Sequence, residues 1–163
     1  DNQIKKEVIS ILVDNQANVL TRVISLFGRR GFNIDSLTVS TTNDPKLSRI
    51  TVVFTGTEQA LHQIISQTAK LEVVRKIFTL DPRIYRELLL LKVHADKTER
   101  SAIKEIVEIY RGNIVDLSKE SLIIELTGHS DKIDGFMDMM SCYDIAEVCR
   151  TGITGIGRGP GWD

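Results

Sequence analysis

The chain has 163 residues, 42% of them hydrophobic and 26% charged, the composition of a soluble globular protein and a length for one domain or two small ones. A formal net charge of −1 gives no electrostatic ground for binding nucleic acid or an anionic membrane. No apolar run approaches the roughly 20 residues that span a bilayer, and no charged-then-apolar signal segment opens the chain. We therefore expect a cytoplasmic protein, and because the first residue is Asp1 we expect that some N-terminal sequence has been lost or replaced. Cys142 and Cys149 are too few for a disulfide framework and lack the spacing of a zinc site, so two reduced thiols are expected.

Residues 7–13 (E-V-I-S-I-L-V) are short, branched and apolar, which predicts a central strand. A helix follows, with Val19, Leu20, Val23, Ile24, Leu26 and Phe27 spaced to put one face on a core. Gly31 is the expected stop, because glycine adopts the left-handed conformation after a helix end without a Cβ penalty. Residues 33–41 alternate as a half-buried strand. After the turn residues 42–46, Ile50, Val52 and Phe54 alternate again, which predicts a hairpin. Thr57 caps a second helix carrying Leu61, Ile64 and Ile65. Residues 71–80 make the last strand of this half, and Asp81-Pro82 breaks it.

The same order recurs from Arg86. Residues 88–95 read as a strand, and Thr98 caps a helix with Ile103, Ile106, Val107 and Tyr110, stopped by Gly112. Residues 113–117 and 122–127 form a hairpin around Lys119-Glu120. Ser130 caps a helix with Ile133, Phe136, Met137 and Met140, and residues 145–151 close the set. Arg30-Gly31-Phe32-Asn33-Ile34 is echoed by Arg111-Gly112-Asn113-Ile114, Thr55-Gly56 by Thr127-Gly128, and Glu72-Val73-Val74-Arg75 by Glu147-Val148-Cys149-Arg150. The fold class read from this repeat is α+β, two ferredoxin-like βαββαβ units, with domains at 1–82 and 83–163. The helix-free face of each sheet needs cover. In the first unit it reads as polar and small; in the second it carries Leu88, Leu90 and Ile123, which argues for association with another subunit.

Catalytic constellations are missing from the pattern. His62, His94 and His129 stand singly, without a neighbouring cysteine or paired carboxylate, and are read as solvated or structural. The glycine-rich tail from Gly152 has no helix after it to aim N–H groups at a phosphate, so a mobile tail that docks on a partner is the better reading.

The turn from Asp14 to Leu20 differs. A strand that leads straight into a helix leaves first-turn N–H groups pointing outward at the positive end of the helix dipole, a place for a carboxylate. An asparagine amide beside it both donates and accepts, which suits a ligand carrying an ammonium and a carboxylate. Ordinary capping by Asp14, Asn15 or Asn18 is the equally weighted alternative.

These residues carry a resemblance. N-Q-A-N-V-L-T-R-V from Asn15, L-F-G-R-R-G-F-N-I-D-S-L-T-V from Leu26 and D-P-K-L-S-R-I-T from Asp44 resemble the small, regulatory subunit of acetolactate (acetohydroxyacid) synthase. So do R-E-L-L-L-L-K-V from Arg86, I-Y-R-G-N-I-V-D from Ile109, I-I-E-L-T-G from Ile123 and V-C-R-T-G from Val148. The resemblance spans nearly the whole chain. It implies an amino-acid-sensing ACT domain at 1–82, a C-terminal small-subunit domain at 83–163, and a non-catalytic homodimer. That dimer binds the large catalytic subunit, raises its activity, and confers feedback inhibition by valine held between two ACT domains. Thiamine diphosphate, Mg and FAD belong to the catalytic subunit, and none is expected in this chain. The implied valine ligands are Asn15, Asn18, Val19 and Leu20 of one chain with Asn33 and Ile34 of the other. Asn18 stands where the family usually has glycine. Asparagine tolerates the left-handed conformation better than other residues, but its side chain enters ligand space, so an altered valine response is expected. The rival readings are a free-standing amino-acid-binding ACT protein, separable by pull-down with the catalytic subunit, and a small enzyme, which acetolactate production by this chain alone would reveal. The second unit and the tail are the expected contact surface for the catalytic subunit, because the first unit's edge serves the dimer.

Overall fold

The computed structural model describes residues 3–29, 32–80 and 84–160. The chain divides into two compact units, one running through Ile84 and taking in the tail from Ile153, the other Tyr85–Gly152. In the first unit the order is β1 (Lys5–Asp14), α1 (Val19–Arg29), β2 (Asn33–Thr41), β3 (Leu47–Gly56), α2 (Glu58–Thr68) and β4 (Val74–Thr79). In the second it is β5 (Tyr85–His94), α3 (Glu99–Ile109), β6 (Asn113–Leu117), β7 (Ser121–Gly128), α4 (Ser130–Met140) and β8 (Asp144–Arg150). The antiparallel strand orders, β2-β3-β1-β4 and β6-β7-β5-β8, are those of two ferredoxin-like units.

Period-two alternation builds each core. Ile9, Ile11 and Val13 of β1 and Ile50, Val52 and Phe54 of β3 pack under Val23 and Phe27 of α1 and Ile64 of α2. Leu89, Leu91 and Val93 of β5 and Leu122, Ile124 and Leu126 of β7 pack under Ile103, Val107, Ile133 and Phe136. Burying each such side chain contributes about 1.5–3 kcal/mol relative to exposure. The opposite face of the first sheet is buried as well. Val8, Leu12 and Val53 share it with Ser10, Thr51 and Arg49, and Arg49 Nη1 donates to Ser10 Oγ at 2.6 Å. In the second unit Leu88 and Ile123 are half-buried and Leu90 is exposed.

Several local expectations are corrected. Thr57 accepts from Ala60 N–H as expected of a cap, but Thr98 and Ser130 do not cap. Thr98 makes no capping bond with its side chain, and α4 starts at Ser130 itself, after His129. The α3 helix is closed by Arg111, which takes the left-handed conformation at φ 59°. Gly112 is needed for space instead: a Cβ there would lie 3.1 Å from the Glu125 carbonyl. Residues 70–73 turn before β4: Leu71 N–H donates to the Thr68 carbonyl and Val74 N–H to the Leu71 carbonyl, closing two turns rather than extending. The tail is packed through its first residues, with Ile153 and Gly155 buried. Gly31, Asp81-Pro82 and Trp162 lie outside the described residues.

The third echo does not superpose. Val74, just before Arg75, pairs with Val13 at the end of β1, whereas Arg150 pairs with Leu89 near the start of β5. Arg75 clasps Asp14 with both Nε and Nη2, at 2.6 and 2.9 Å. Arg150 instead joins Glu87 and Asp134, so the two arginines hold opposite ends of their sheets.

Candidate functional site

The Asp14–Leu20 turn leaves β1 under tight backbone control. Asp14 N–H donates to the Val73 carbonyl, Asn15 N–H to that of Lys46, and Gln16 N–H to that of Asp14. The Asn15 side chain donates to the Pro45 carbonyl at 3.1 Å, and its amide oxygen accepts no hydrogen bond from the described residues. Asn18 takes the left-handed conformation at φ 69°, the backbone that glycine adopts freely and asparagine tolerates best. Its carbonyl receives the first helical bond, from Arg22 N–H.

Capping, the rival explanation for these asparagines, is not what they do. The Asp14 carboxylate is taken by Arg75, and Asn15 donates elsewhere. Among the described residues no side chain accepts from the N–H groups of Val19, Leu20 or Thr21. The second unit solves the same problem differently. Asn15 N–H to Lys46 and Ala95 N–H to Glu120 are equivalent bonds, which aligns Gln16 with Asp96 and Asn18 with Thr98. Asp96 Oδ1 accepts from the N–H groups of both Thr98 and Glu99 at 2.9 Å and from the Thr98 hydroxyl. Those bonds, the Thr98 hydroxyl foremost, hold the Asp96 carboxyl below its ordinary range. A carboxylate of the chain's own thus fills in the second unit the position that stays open in the first.

Asn15, Asn18, Val19 and Leu20 share this one turn. Val19 is buried in the core, so it offers only its N–H, while Leu20 is exposed. Asn33 and Ile34 are elsewhere in the same unit. Asn33 pairs with Thr55, Thr55 with Lys6, and Lys6 lies at the far end of β1 from Asn15. At about 3.3 Å per residue the two asparagines are separated by about 25–30 Å of strand. Asn33 Nδ2 donates to Asp35 Oδ1 at 3.0 Å, and the other Asp35 oxygen accepts from the Thr55 hydroxyl. One chain therefore cannot bring Asn15 and Asn33 together.

The helix pattern also divides more finely than its apolar spacing suggested. Val19, Val23 and Phe27 are buried, but Leu20 and Ile24 are 37% and 39% exposed. With Gly28, around which a Cβ would meet nothing within 4 Å, they form an open i, i+4, i+8 stripe. Leu71, just after α2, lies against the other flank of α1, beside a cleft of about 290 Å³ lined also by Asn18, Thr21, Arg22, Ser25 and Arg29. The Leu20–Ile24–Gly28 stripe is thus turned away from α2, toward the β2 edge of the sheet. Sequence reasoning missed this split; the signal was there, since six apolar positions on an 11-residue helix exceed one core stripe.

In the second unit the charged cluster is structural. Arg150 reaches Glu87 through Nε and Nη2 at 3.0 and 2.8 Å and Asp134 through Nη1 at 2.7 Å. Burial pushes the Glu87 carboxyl up, but bonds from Arg150 and Ser130 and the Arg150 charge outweigh it and hold it below the usual carboxylate range. The histidines stay scattered: His62 stands 3.9 Å from Glu58, and His129 lies 3.2 Å from Arg86 Nη1. Among the described residues no group of three or more His, Cys, Asp or Glu is placed to hold a metal ion. Cys142 and Cys149 are free and exposed. No helix among the described residues is long and apolar enough to cross a membrane.

Two ferredoxin-like units in sequence define an ACT-type fold, and the comparisons with known proteins agree. Residues 9–76 match the family model described as an AHAS small subunit-like ACT domain, and residues 86–159 that of the small subunit of acetolactate synthase. The probable acetolactate synthase small subunit of Archaeoglobus fulgidus is 45% identical, over 94% of this chain and 98% of its own. The acetolactate synthase small subunit of Haemophilus influenzae is 41% identical, over 94% and 96%. The crystal structure of the Thermotoga maritima small subunit superposes with a TM-score of 0.89 at 37% identity, covering 96% of this chain and 99% of that one. The chain belongs to the acetolactate synthase small-subunit family.

Proposed function

We propose that this chain is the regulatory subunit of a thiamine-diphosphate-dependent acetolactate synthase: it activates the catalytic subunit and transmits feedback inhibition by valine. The observation that carries the reading is the contrast between the two helix starts. Among the described residues the first-turn N–H groups of α1 have no side-chain acceptor, whereas Asp96 accepts from the N–H groups of Thr98 and Glu99 at the start of α3. An amino-acid carboxylate fits the open one, with the positive end of the α1 dipole behind it. Asn15 offers an amide oxygen to the ammonium group, and Leu20 an apolar wall to the side chain.

The ligand site is completed by a second copy of the chain. If two β2 edges pair antiparallel about a two-fold axis, Asn33 and Ile34 of one chain come to the partner's Thr41 end. Thr41 pairs with Ser48 and Ser48 with Val13, so that end is where the partner's Asn15–Leu20 turn begins. The Leu20–Ile24–Gly28 stripe lies on the same side and would be covered by the same event, which is how an isologous interface works. Valine binding between the copies then stabilises one arrangement of the dimer, and the difference in its affinity for the two arrangements is all that reaches the enzyme.

Titration calorimetry with valine, leucine as comparison, tests the reading, first on the purified chain and then on the chain reconstituted with its catalytic subunit. Valine heat that disappears in Asn15→Ala and in Asn33→Ala alike, with the chain dimeric, is the expected result. No valine binding in either preparation would overturn the sensor role, and no change in acetolactate formation on reconstitution would overturn the regulatory one.

A further inference from the structure

The α1 helix has three flanks, and the reading above uses two. Val19, Val23 and Phe27 face the core, and Leu20, Ile24 and Gly28 face the dimer edge. The third flank lines the cleft of about 290 Å³, floored by Leu71 and edged by Asn18, Thr21, Arg22, Ser25 and Arg29. Arg22 and Arg29, seven residues apart, lie on one side of the helix about 10 Å from each other along its axis. Neither guanidinium has an ion-pair or side-chain hydrogen-bond partner among the described residues. From Val19 to Arg29 the helix contains no acidic residue. Lys70 and Glu72 beside Leu71 cancel in charge. The equivalent flank of α3 is not basic: in the alignment fixed by Asn15 and Ala95, Arg22 corresponds to Ala102, Ser25 to Glu105 and Arg29 to Ile109.

We propose that this cleft docks an acidic segment of the catalytic subunit, with two carboxylates about 10 Å apart received by Arg22 and Arg29. The inference rests on the regulatory reading above and names the surface through which that regulation passes. Charge complementarity selects the occupant. Two guanidiniums with the Ser25 hydroxyl between them and the Thr21 hydroxyl next to Arg22 form a row that takes carboxylates with planar, bidentate geometry, and Leu26 and Leu71 receive an apolar side chain. Asn18 belongs both to this cleft and to the proposed valine turn. A ligand that fixes the turn therefore alters one end of the docking row, which is the differential contact that coupling between two sites requires. This adds a first-unit contact to the one expected on the second unit and tail.

The test is acetolactate formation by the catalytic subunit titrated with wild-type chain, with Arg22→Glu/Arg29→Glu, and with Lys5→Glu, which lines a separate cleft beside α2, as a charge-reversal control. Valine calorimetry is run on each. The double variant is expected to raise the half-saturating concentration about tenfold or more, to lose the salt dependence of the wild type, and to keep valine binding and dimer mass. Arg22→Lys/Arg29→Lys should recover part of the loss, since lysine restores the charge but not the bidentate geometry. Wild-type activation curves in the double variant, or an equal loss in the Lys5→Glu control, would overturn the docking surface while leaving the regulatory reading standing. A wild-type chain that does not activate at all removes both. Should the reversed charges unfold the chain, seen as lost valine binding, Arg22→Gln/Arg29→Gln decides, with a smaller loss expected in the same direction.

Discussion

The two units share one strand order and nearly one core, yet differ at the helix start and along the outer flanks of the first helix. The first leaves its helix start open, with Gln16 where the second has Asp96 bound to two backbone N–H groups. On the edge-facing flank, Leu20, Ile24 and Gly28 of α1 correspond to Arg100, Lys104 and Glu108 of α3. Arg100 is turned onto the Ser118 and Lys119 carbonyls of its own hairpin. The hairpins differ too, since β2 has 9 residues and β6 has 5. A duplicated fold has kept the layers that bury its core and changed the helix surface, so that one copy leaves its helix start open and the other closes the equivalent position.

The comparison is broken most severely at the edge-facing flank. Leu20→Asp/Ile24→Asp is expected to weaken self-association roughly 100-fold or more, because charge is forced into a desolvated interface. Lys104→Leu should leave association unchanged; sedimentation velocity reads both. Next, Gln16→Asp transplants the second unit's cap into the first. Its carboxylate would occupy the open N–H groups, and valine affinity by calorimetry should fall about 30-fold or more.

In the second unit, Arg150→Ala strips the partner from the buried Glu87 and should cost about 2 kcal/mol in denaturant unfolding, after allowance for the exposure of Arg150. Glu87 titrates below its ordinary value in the fold. Its contribution is therefore present above the unfolded carboxylate pKa and is lost as pH falls through the lowered folded value. The gap between wild type and variant should narrow on acidification. Asn18→Gly keeps the left-handed turn while removing a side chain from ligand space, and is expected to tighten valine binding roughly threefold. An unchanged affinity would show that the Asn18 side chain does not touch the ligand. The smallest effect is expected from Asp96→Ala, a slight loss in the melting temperature of the second unit with valine binding intact. An equal loss of valine binding would mean that the two helix starts are not independent.

Most of the architecture was legible in the residues. Alternation in residues 50–54 and the helical spacing of Ile103, Ile106 and Val107 are local patterns: Ile50, Val52, Phe54, Ile103 and Val107 are buried, and Ile106 packs half-buried against the core. Helix ends were read less well. Thr98 looks like a cap in sequence, but Asp96, two residues earlier, reaches the N–H groups first with a charged oxygen. Arg111 rather than Gly112 carries the left-handed backbone, because Gly112 is needed where the chain passes the Glu125 carbonyl.

By itself, then, the sequence determined the two βαββαβ units, their cores and the turn at Asn15–Leu20, since all of these follow from periodicities and backbone preferences that act within a few residues. Only the tertiary structure decided the rest. Strand register set Asn33 a sheet's length from Asn15, which makes a second chain necessary for any site that uses both. Packing divided the apolar residues of α1 between the core and an open flank, because an 11-residue helix can turn only one stripe inward. And the distinction between an open helix start and a filled one rests on where a single carboxylate points, which no spacing of residue types specifies.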